Sequence, residues 1–264
     1  MDDSGSTDSR HPPKELDAEA QMRSGDYPLL RPKDASTLIL IDRSGREPAL
    51  LMGKRHKAHA FMPETYVFPG GRRDRDDGRY LAQHGRSNRD DGRVPVADRL
   101  HPLVEQKLQI KMANPASAFR AQALAIAAVR ETHEEVGLFI AGKGQTCQQQ
   151  SWKAFAAREL APRLSPLRYV ARAITPPRQK RRFDTRFFAC FRDEIGQAEA
   201  ESSNELLDLL WVGLSEVDQV EMPRITRVII ADLKHQLDRD PSLAPGQPVP
   251  FYQARYGRFT REML

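Results

Sequence analysis

Residues 118–136 (AFRAQALAIAAVRETHEEV) constrain the fold of this chain more than any other segment. The run is rich in Ala and Leu and contains neither Gly nor Pro, a composition that favours an α-helix. Ser117 precedes it as a residue suited to the N-cap, and Gly137 follows it as a residue that tolerates the left-handed conformation in which helices often end. The sequence therefore predicts a helix with two defined ends.

Apolar, β-branched segments on both sides of this helix predict strands. Residues 35–42 and 49–54 are separated by the turn-like sequence SGREP and are expected to form a hairpin. Further strands are predicted at 66–68, 168–175, 185–191 and 206–212, and further helices at 96–111, 152–160 and 226–237. No clear element is expected within residues 241–264.

The composition excludes several classes of protein. A chain of 264 residues, 39% of them hydrophobic, can bury a core, and no run approaches the roughly 18 consecutive apolar residues of a membrane-spanning helix. The polar N-terminus lacks the apolar block of a secretory signal, so a cytoplasmic enzyme or binding protein is expected. Two cysteines cannot form a disulfide scaffold, and their spacing fits no zinc pattern. The net charge of +5 falls short of a nucleic-acid-binding signature unless the charges cluster.

Three carboxylates lie near the end of the predicted helix. Glu131, Glu134 and Glu135 follow the i, i+3, i+4 spacing that places side chains on one helical face. A solvated charged face is the commoner explanation of such a pattern. The rest of the helix is apolar, however, and a buried acidic cluster is costly unless a cation neutralises it. Because Mg²⁺ prefers oxygen ligands and commonly bridges carboxylates to phosphates, the pattern indicates metal-assisted attack of water on a phosphate ester or anhydride.

A second candidate site is the sequence FPGG at residues 68–71. Pro69 ends the apolar stretch 66–68, and Gly70 and Gly71 leave the backbone free to approach a neighbouring group closely. An ordinary tight turn would use the same glycines without contacting a ligand.

Both segments resemble parts of the Nudix signature, G-x5-E-x7-R-E-U-x-E-E-x-G-U, where U is aliphatic. RETHEEVGL, beginning at Arg130, is similar to the second half, with Thr132 as a mild departure, and FPGG resembles the usual start of the first half. Counting back from Arg130 places the signature's first Glu and Gly at Gln122 and Ala116, so the contiguous motif is broken. If Gly71 is the signature glycine instead, Asp77 falls at the offset of the first Glu.

A signature split in this way is similar to that of one Nudix subgroup, the peroxisomal-type coenzyme A diphosphatases and their bacterial relatives. The segment AITPPRQKRRFDTRFFACF also looks like that subgroup. The resemblance implies an α/β/α sandwich around a mixed sheet, with a partly helical insertion at 72–116. It also implies a Mg²⁺ or Mn²⁺ requirement and hydrolysis of a nucleoside diphosphate linked to another moiety, with coenzyme A or an acyl-CoA as candidate substrates.

Residue roles follow from the resemblance position by position. Glu131, Glu134 and Glu135 are expected to bind the metal, and one of them also to orient or deprotonate the attacking water. Arg130 is expected to hold a Glu side chain in place through an ion pair. Glu205, before a predicted strand, is a candidate for a further metal-side carboxylate or base, and Glu201 competes with it for that role.

Substrate contacts are expected at two places. Gly70 and Gly71 would let the backbone turn beside the metal. The basic turn 176–186 carries Arg181 and Arg182, whose guanidinium groups match phosphate oxygens; a solvated basic turn is the alternative. Three further cations lie in the same turn: Arg178, Lys180 and Arg186.

The predicted organisation is a flexible tail over 1–30, a Nudix-like domain over 31–240 and a C-terminal extension over 241–264. The leading hypothesis is a metal-dependent pyrophosphohydrolase acting on a small nucleoside diphosphate derivative. A catalytically inactive sensor of a nucleotide metabolite is the alternative. Nucleic-acid binding is disfavoured, because the basic turn lacks an aromatic platform or a groove-reading helix. No membrane partner is expected, and the sequence leaves a homodimer open.

Overall fold

A mixed β-sheet forms the centre of the molecule. The computed structural model describes residues 27–55, 65–78, 97–113, 116–144, 149–195, 206–255 and 258–264. In chain order, its strands are β1 (Lys33–Asp42), β2 (Ala49–Arg55), β3 (Tyr66–Val67), β4 (Gly70–Arg72), β5 (Ala141–Lys143), β6 (Leu160–Pro162), β7 (Arg168–Ile174), β8 (Phe183–Phe191), β9 (Leu206–Gly213), β10 (Pro250–Arg255) and β11 (Arg258–Met263). All except β5 and β6, which pair with each other, join the central sheet.

The strand order explains why distant segments meet. The sheet runs β11-β10-β7-β8-β1-β2-β3, with β4 also paired to β1 and β9 to β2. β1 lies parallel to β8 and β7 parallel to β10, whereas β1 pairs antiparallel with β2 and β4. The predicted hairpin of the first two strands is confirmed, with Ile41 opposite Leu50. Strand β1 therefore connects the FPGG segment on one side to the RFDTRFF segment on the other.

Helices cover both faces of the sheet: α1 (Pro102–Gln109), α2 (Ala118–Val136), α3 (Lys153–Ala156) and α4 (Arg224–Arg239). Alternate residues of β1 point to opposite faces. Leu38 and Leu40 pack in one core with residues of α2, and Ile39 and Ile41 pack in a second core with residues of α4. This arrangement confirms the predicted α/β class with a mixed sheet. No helix in the described part of the chain is long and apolar enough to cross a membrane.

Helix α2 has the ends that the sequence predicts. The Ser117 hydroxyl accepts a hydrogen bond from the Arg120 N–H at 3.2 Å. At the other end Gly137 has a φ of 74°, in the left-handed region, and its N–H donates to the His133 carbonyl at 2.9 Å. The helix is buried over most of its length, as its Ala-rich composition permits. Its last turn therefore delivers the glutamates to a defined position beside the sheet.

Two predicted helices are shorter than expected. The helix predicted over 96–111 begins at Pro102, because proline is tolerated in the first helical turn and not in the interior. Ahead of it, the Asp98 carboxylate accepts hydrogen bonds from the backbone N–H groups of Leu164 and Ser165, at 2.7 and 2.8 Å, which keeps this segment out of the helix. The helix predicted over 152–160 is also shorter: α3 covers only Lys153–Ala156. Leu160, at the end of the predicted helix, begins strand β6 instead.

The prediction of no element in 241–264 is wrong. Strands β10 and β11 form a hairpin, and β10 extends the central sheet by pairing with β7, Phe251 opposite Arg172 and Tyr252 opposite Ala173. Phe251 and Tyr252 are almost fully buried in the structure. The apolar residues of this segment are too scattered to predict a strand locally, and pairing with β7 supplies the stabilisation.

Candidate functional site

The glycines of FPGG lie between strand β1 and the last turn of α2. The β1–β4 register places Ser36 opposite Gly71 and Thr37 opposite Gly70. A Cβ at Gly70 would lie 2.6 Å from the Ser36 carbonyl oxygen, and a Cβ at Gly71 would lie 2.5 Å from the Glu131 carboxylate. Neither distance is compatible with a side chain, so the close approach of backbone to carboxylate depends on glycine.

Gly70 also contacts the second signature segment directly. Its N–H donates to Glu135 Oε2 at 2.7 Å. The two residues are separated by 65 positions in sequence. The structure therefore brings together Gly70, Gly71, Glu131 and Glu135, which the sequence singled out in two separate segments.

Arg130 organises the carboxylates around it. Its Nε lies 2.8 Å from Asp77 Oδ1, and its Nη2 lies 3.2 Å from Asp77 Oδ2. Its Nη1 contacts Glu134 Oε2 at 2.6 Å, and its Nη2 lies 2.9 Å from Glu131 Oε1. Arg130 and Asp77 are buried, so these interactions form in a region of low dielectric. The contacts agree with the positioning role that the resemblance implies for Arg130.

Burial and neighbouring charges set the protonation states of this cluster. Burial opposes the charge of Arg130, but its hydrogen bond with Asp77 and the negative charges of Asp77, Glu131 and Glu134 more than offset this, so the pKa of Arg130 is raised. Burial is also the main cause that raises the pKa of Glu131 to about 7; Arg130 lowers it, and the charge of Glu134 raises it further. The carboxylate of Glu131 thus lies in a place where added positive charge would stabilise its ionised form.

The three glutamates are not gathered into a preformed metal cage. Among the described residues, no group of three or more His, Cys, Asp or Glu side chains is arranged to hold a metal ion. In chemical terms the donors fit Mg²⁺ or Mn²⁺, because they are carboxylate oxygens, the ligands that these ions prefer.

A pocket of about 380 Å³ opens beside these residues. Gly70, Gly71 and Glu135 form part of its lining, and Arg181, predicted to bind phosphate, lines it as well. Most of the remaining lining is apolar. The pocket therefore adjoins a carboxylate, two half-buried glycines and a guanidinium group, which suits a ligand that carries both phosphate and apolar parts.

Other cations of the basic turn have structural contacts. Arg182 donates from Nε to the Thr175 carbonyl at 3.0 Å and from Nη1 to the Leu30 carbonyl at 2.6 Å. Arg186 is fully buried and pairs with Asp34 and Asp184, at 3.3 and 3.0 Å. Arg186 therefore does not face solvent or the pocket, which corrects its inclusion among the phosphate-binding candidates. Glu201 and Glu205 lie outside the described residues.

Two groups of residues near the site were not predicted from the sequence. Asp34 accepts hydrogen bonds from Arg120 on α2, at 2.6 and 2.7 Å, and lies 3.4 Å from Arg73, which follows β4. It thereby ties the segment after FPGG to the start of α2. Ile225 and Phe259 line the pocket from the C-terminal part of the chain. A lone aspartate just before the strand predicted over 35–42 and two separated apolar residues carry no local signal that would have identified them.

The fold of the chain is the Nudix hydrolase fold. A Nudix hydrolase from Alicyclobacillus acidocaldarius is similar to the chain, with 25% identity and a TM-score of 0.53 over 77% of this chain and 91% of that one. A Nudix hydrolase from M. smegmatis, RenU, is 14% identical with a TM-score of 0.42, covering 79% of this chain and 88% of its own. The Nudix domain of Shewanella oneidensis NrtR, in complex with ADP-ribose, is 12% identical with a TM-score of 0.43, covering 83% and 97%. The assignment of the fold rests on the first of these. No family model and no curated protein matches the chain.

Proposed function

We propose that this chain is a divalent-metal-dependent Nudix pyrophosphohydrolase that cleaves a nucleoside diphosphate linked to another moiety. The hydrogen bond of 2.7 Å from the Gly70 N–H to Glu135 carries the proposal, because it joins the two signature segments at the wall of the pocket. The likeness to the Alicyclobacillus hydrolase supports the same class of reaction.

Asp77 takes the place of the missing signature glutamate in this proposal. It lies six residues after Gly71, and its two oxygens contact Nε and Nη2 of Arg130. A carboxylate at this position keeps the arginine oriented toward Glu131 and Glu134. With Asp77 in that role, the residues inserted into the signature lie between Asp77 and Arg130, and α1 falls within this interval.

Glu131, Glu134 and Glu135 would hold the Mg²⁺ or Mn²⁺. When bound, the ion supplies polarisation of the phosphate oxygens and lowers the pKa of bound water. Arg130 positions Glu131 and Glu134 through its ion pairs. Gly70 and Gly71 admit the ligand close to the backbone, and Arg181 neutralises a phosphate at the pocket wall. Glu205 stays a proposed base or further ligand, and Arg182 supports the basic turn through its backbone contacts.

The test is hydrolysis of a panel of diphosphates with Mg²⁺ or Mn²⁺, with products identified by chromatography. The panel contains coenzyme A, a short acyl-CoA, ADP-ribose, NADH and a dinucleoside polyphosphate. We expect at least one to be split into two phosphorylated products, and the Gln variants of Glu131, Glu134 and Glu135 each to lose about a hundredfold or more in rate. Glu216→Gln, which changes an exposed carboxylate outside the pocket lining, is the matched control and should retain full activity.

A nucleotide sensor without catalysis is the second candidate. It is favoured by the departure from the signature at its first glutamate, where Asp77 stands instead. Calorimetric binding of a panel member that is never cleaved, with either metal present, would establish the sensor and refute the hydrolase.

A further inference from the structure

The C-terminal hairpin reaches the pocket because of its register with β7. Strands β7 and β10 are parallel, with Tyr252 beside Ala173, so Ala254 lies level with Thr175, which lines the pocket. Within the hairpin, Ala254 pairs with Phe259. Phe259 therefore lies level with the residue that follows β7, which ends at Ile174. It lines the same pocket as Gly70 and Glu135.

Phe259 belongs to an apolar wall. It is almost fully buried and packs in the core that also contains Phe187, with Ile225 against it at the start of α4. Phe187, Ile225 and Phe259 all line the pocket, together with Ile174 at the end of β7. These four residues, which we call the hairpin wall, come from three strands and a helix. A sugar or a hydrated group placed against them would lose hydrogen bonds to water without replacement, which costs free energy.

We propose that the hairpin wall binds an apolar group of the substrate, and that Phe259 determines specificity for it. The inference rests on the proposed function, since it assumes that the diphosphate lies at the Gly70–Gly71 end of the same pocket. An apolar group on either half of a diphosphate, a purine base or an acyl chain, has the chemistry that this wall recognises. Removing the Phe259 ring takes away contact area and leaves the carboxylates in place.

The test compares Phe259→Ala with the wild type on three probes: coenzyme A, hexanoyl-coenzyme A and ADP-ribose. Kinetic constants are measured for hydrolysis, and dissociation constants are measured by calorimetry without divalent metal. Met263→Ala is the matched control, because Met263 lies exposed on the same strand and outside the pocket lining. Phe259→Leu keeps an apolar side chain, and Ile225→Ala probes the wall from a different element.

We expect Phe259→Ala to raise KM and Kd at least about tenfold with little change in kcat. Met263→Ala should leave KM, Kd and kcat unchanged. A loss confined to hexanoyl-coenzyme A identifies an acyl chain as the occupant, and an equal loss for all three probes identifies the base. Phe259→Leu should stay within about threefold of the wild type. Constants for Phe259→Ala and Ile225→Ala within twofold of wild type on every probe would overturn the inference.

If the chain is not a hydrolase, the same experiment gives a result that differs from failure of the hairpin-wall proposal. If the wild type cleaves none of the probes but binds one with a Kd that depends on Phe259, the hydrolase is refuted and the hairpin wall stands. Circular dichroism and thermal unfolding of each variant show whether a change in Kd reflects loss of the fold. A Phe259→Leu variant that folds and still loses tenfold in affinity would also refute the proposal that Phe259 acts as an apolar contact for the substrate.

Discussion

Asp77 and Arg130 are 53 residues apart in sequence and form a two-point ion pair inside the protein, with Nε–Oδ1 at 2.8 Å and Nη2–Oδ2 at 3.2 Å. Asp77 has no exposed surface. Its Oδ2 also accepts the backbone N–H of Asp74 at 2.7 Å, which holds the carboxylate in place. The segment after FPGG is thus fastened to α2 at the residue that orients two of the proposed metal ligands.

Replacing Asp77 by Asn should destabilise the protein by about 3 kcal/mol, because it breaks a buried ion pair. The free energy of unfolding from urea titration measures this. Asp74→Asn is the matched control: its carboxylate pairs with Arg72 at the surface, where an ion pair contributes at most about 1 kcal/mol. Equal costs for the two variants would mean that the Asp77–Arg130 pair contributes nothing beyond a surface contact.

Gly70→Ala and Gly71→Ala should have different effects. At Gly70 the added Cβ meets backbone atoms of Ser36 and Thr37, which cannot move without breaking β1–β4 pairing, so we expect a loss of about 1–3 kcal/mol in stability. At Gly71 it meets the end of the Glu131 side chain, which can rotate away. Gly71→Ala should therefore fold but lose metal-dependent activity and Mg²⁺ affinity, as measured by calorimetry.

Gly78→Ala is the control for both glycine variants. Its Cβ would meet Phe119 at 3.6 Å, an ordinary contact, and residues 75–78 are helical, so alanine is tolerated or slightly stabilising. Full activity in Gly71→Ala would show that the position of Glu131 against the glycine backbone is unimportant.

Cys190 should resist alkylation in the native state. Burial is the main cause that raises the pKa of its thiol to about 12, so the thiolate fraction at pH 8 is on the order of 10⁻⁴ even before access is considered. In a Cys147→Ser background, a thiol reagent at pH 8 should modify no cysteine in the folded protein and one equivalent in guanidinium chloride. Rapid modification of one equivalent before denaturation would contradict the burial of Cys190.

Removal of residues 241–264 should prevent folding. The truncation deletes β10 and β11, exposes the edge of β7 and removes the ion pair between Arg261 and Asp232 at 2.9 Å. We expect an insoluble or unfolded product by circular dichroism. Deleting residues 1–26, which fall within the tail predicted over 1–30, is the comparison and should leave the melting temperature unchanged. A folded, active 1–240 chain would show that the hairpin is a separable extension.

Local signals were sufficient wherever the determining residues are neighbours in sequence. The two ends of α2 were predictable because Ser117 and Gly137 act on backbone groups three or four positions away. The hairpin of β1 and β2 was predictable for the same reason, since a short polar turn joins two apolar runs. The resemblance to the Nudix signature located Gly70, Gly71 and the three glutamates, although their contacts needed the structure.

Long-range pairing decided the rest. Whether Asp77 meets Arg130, whether Arg186 points into the core, and whether Phe259 reaches the pocket depend on strands that pair across the whole chain. An isolated Asp, Arg or Phe has no local preference that distinguishes these outcomes. The segments that form α2 and the β1–β2 hairpin follow from the amino-acid order alone, because hydrogen bonds and packing within a few residues specify them. The tertiary structure decided which side chains share a site, because that depends on sheet register and on the low dielectric of the interior.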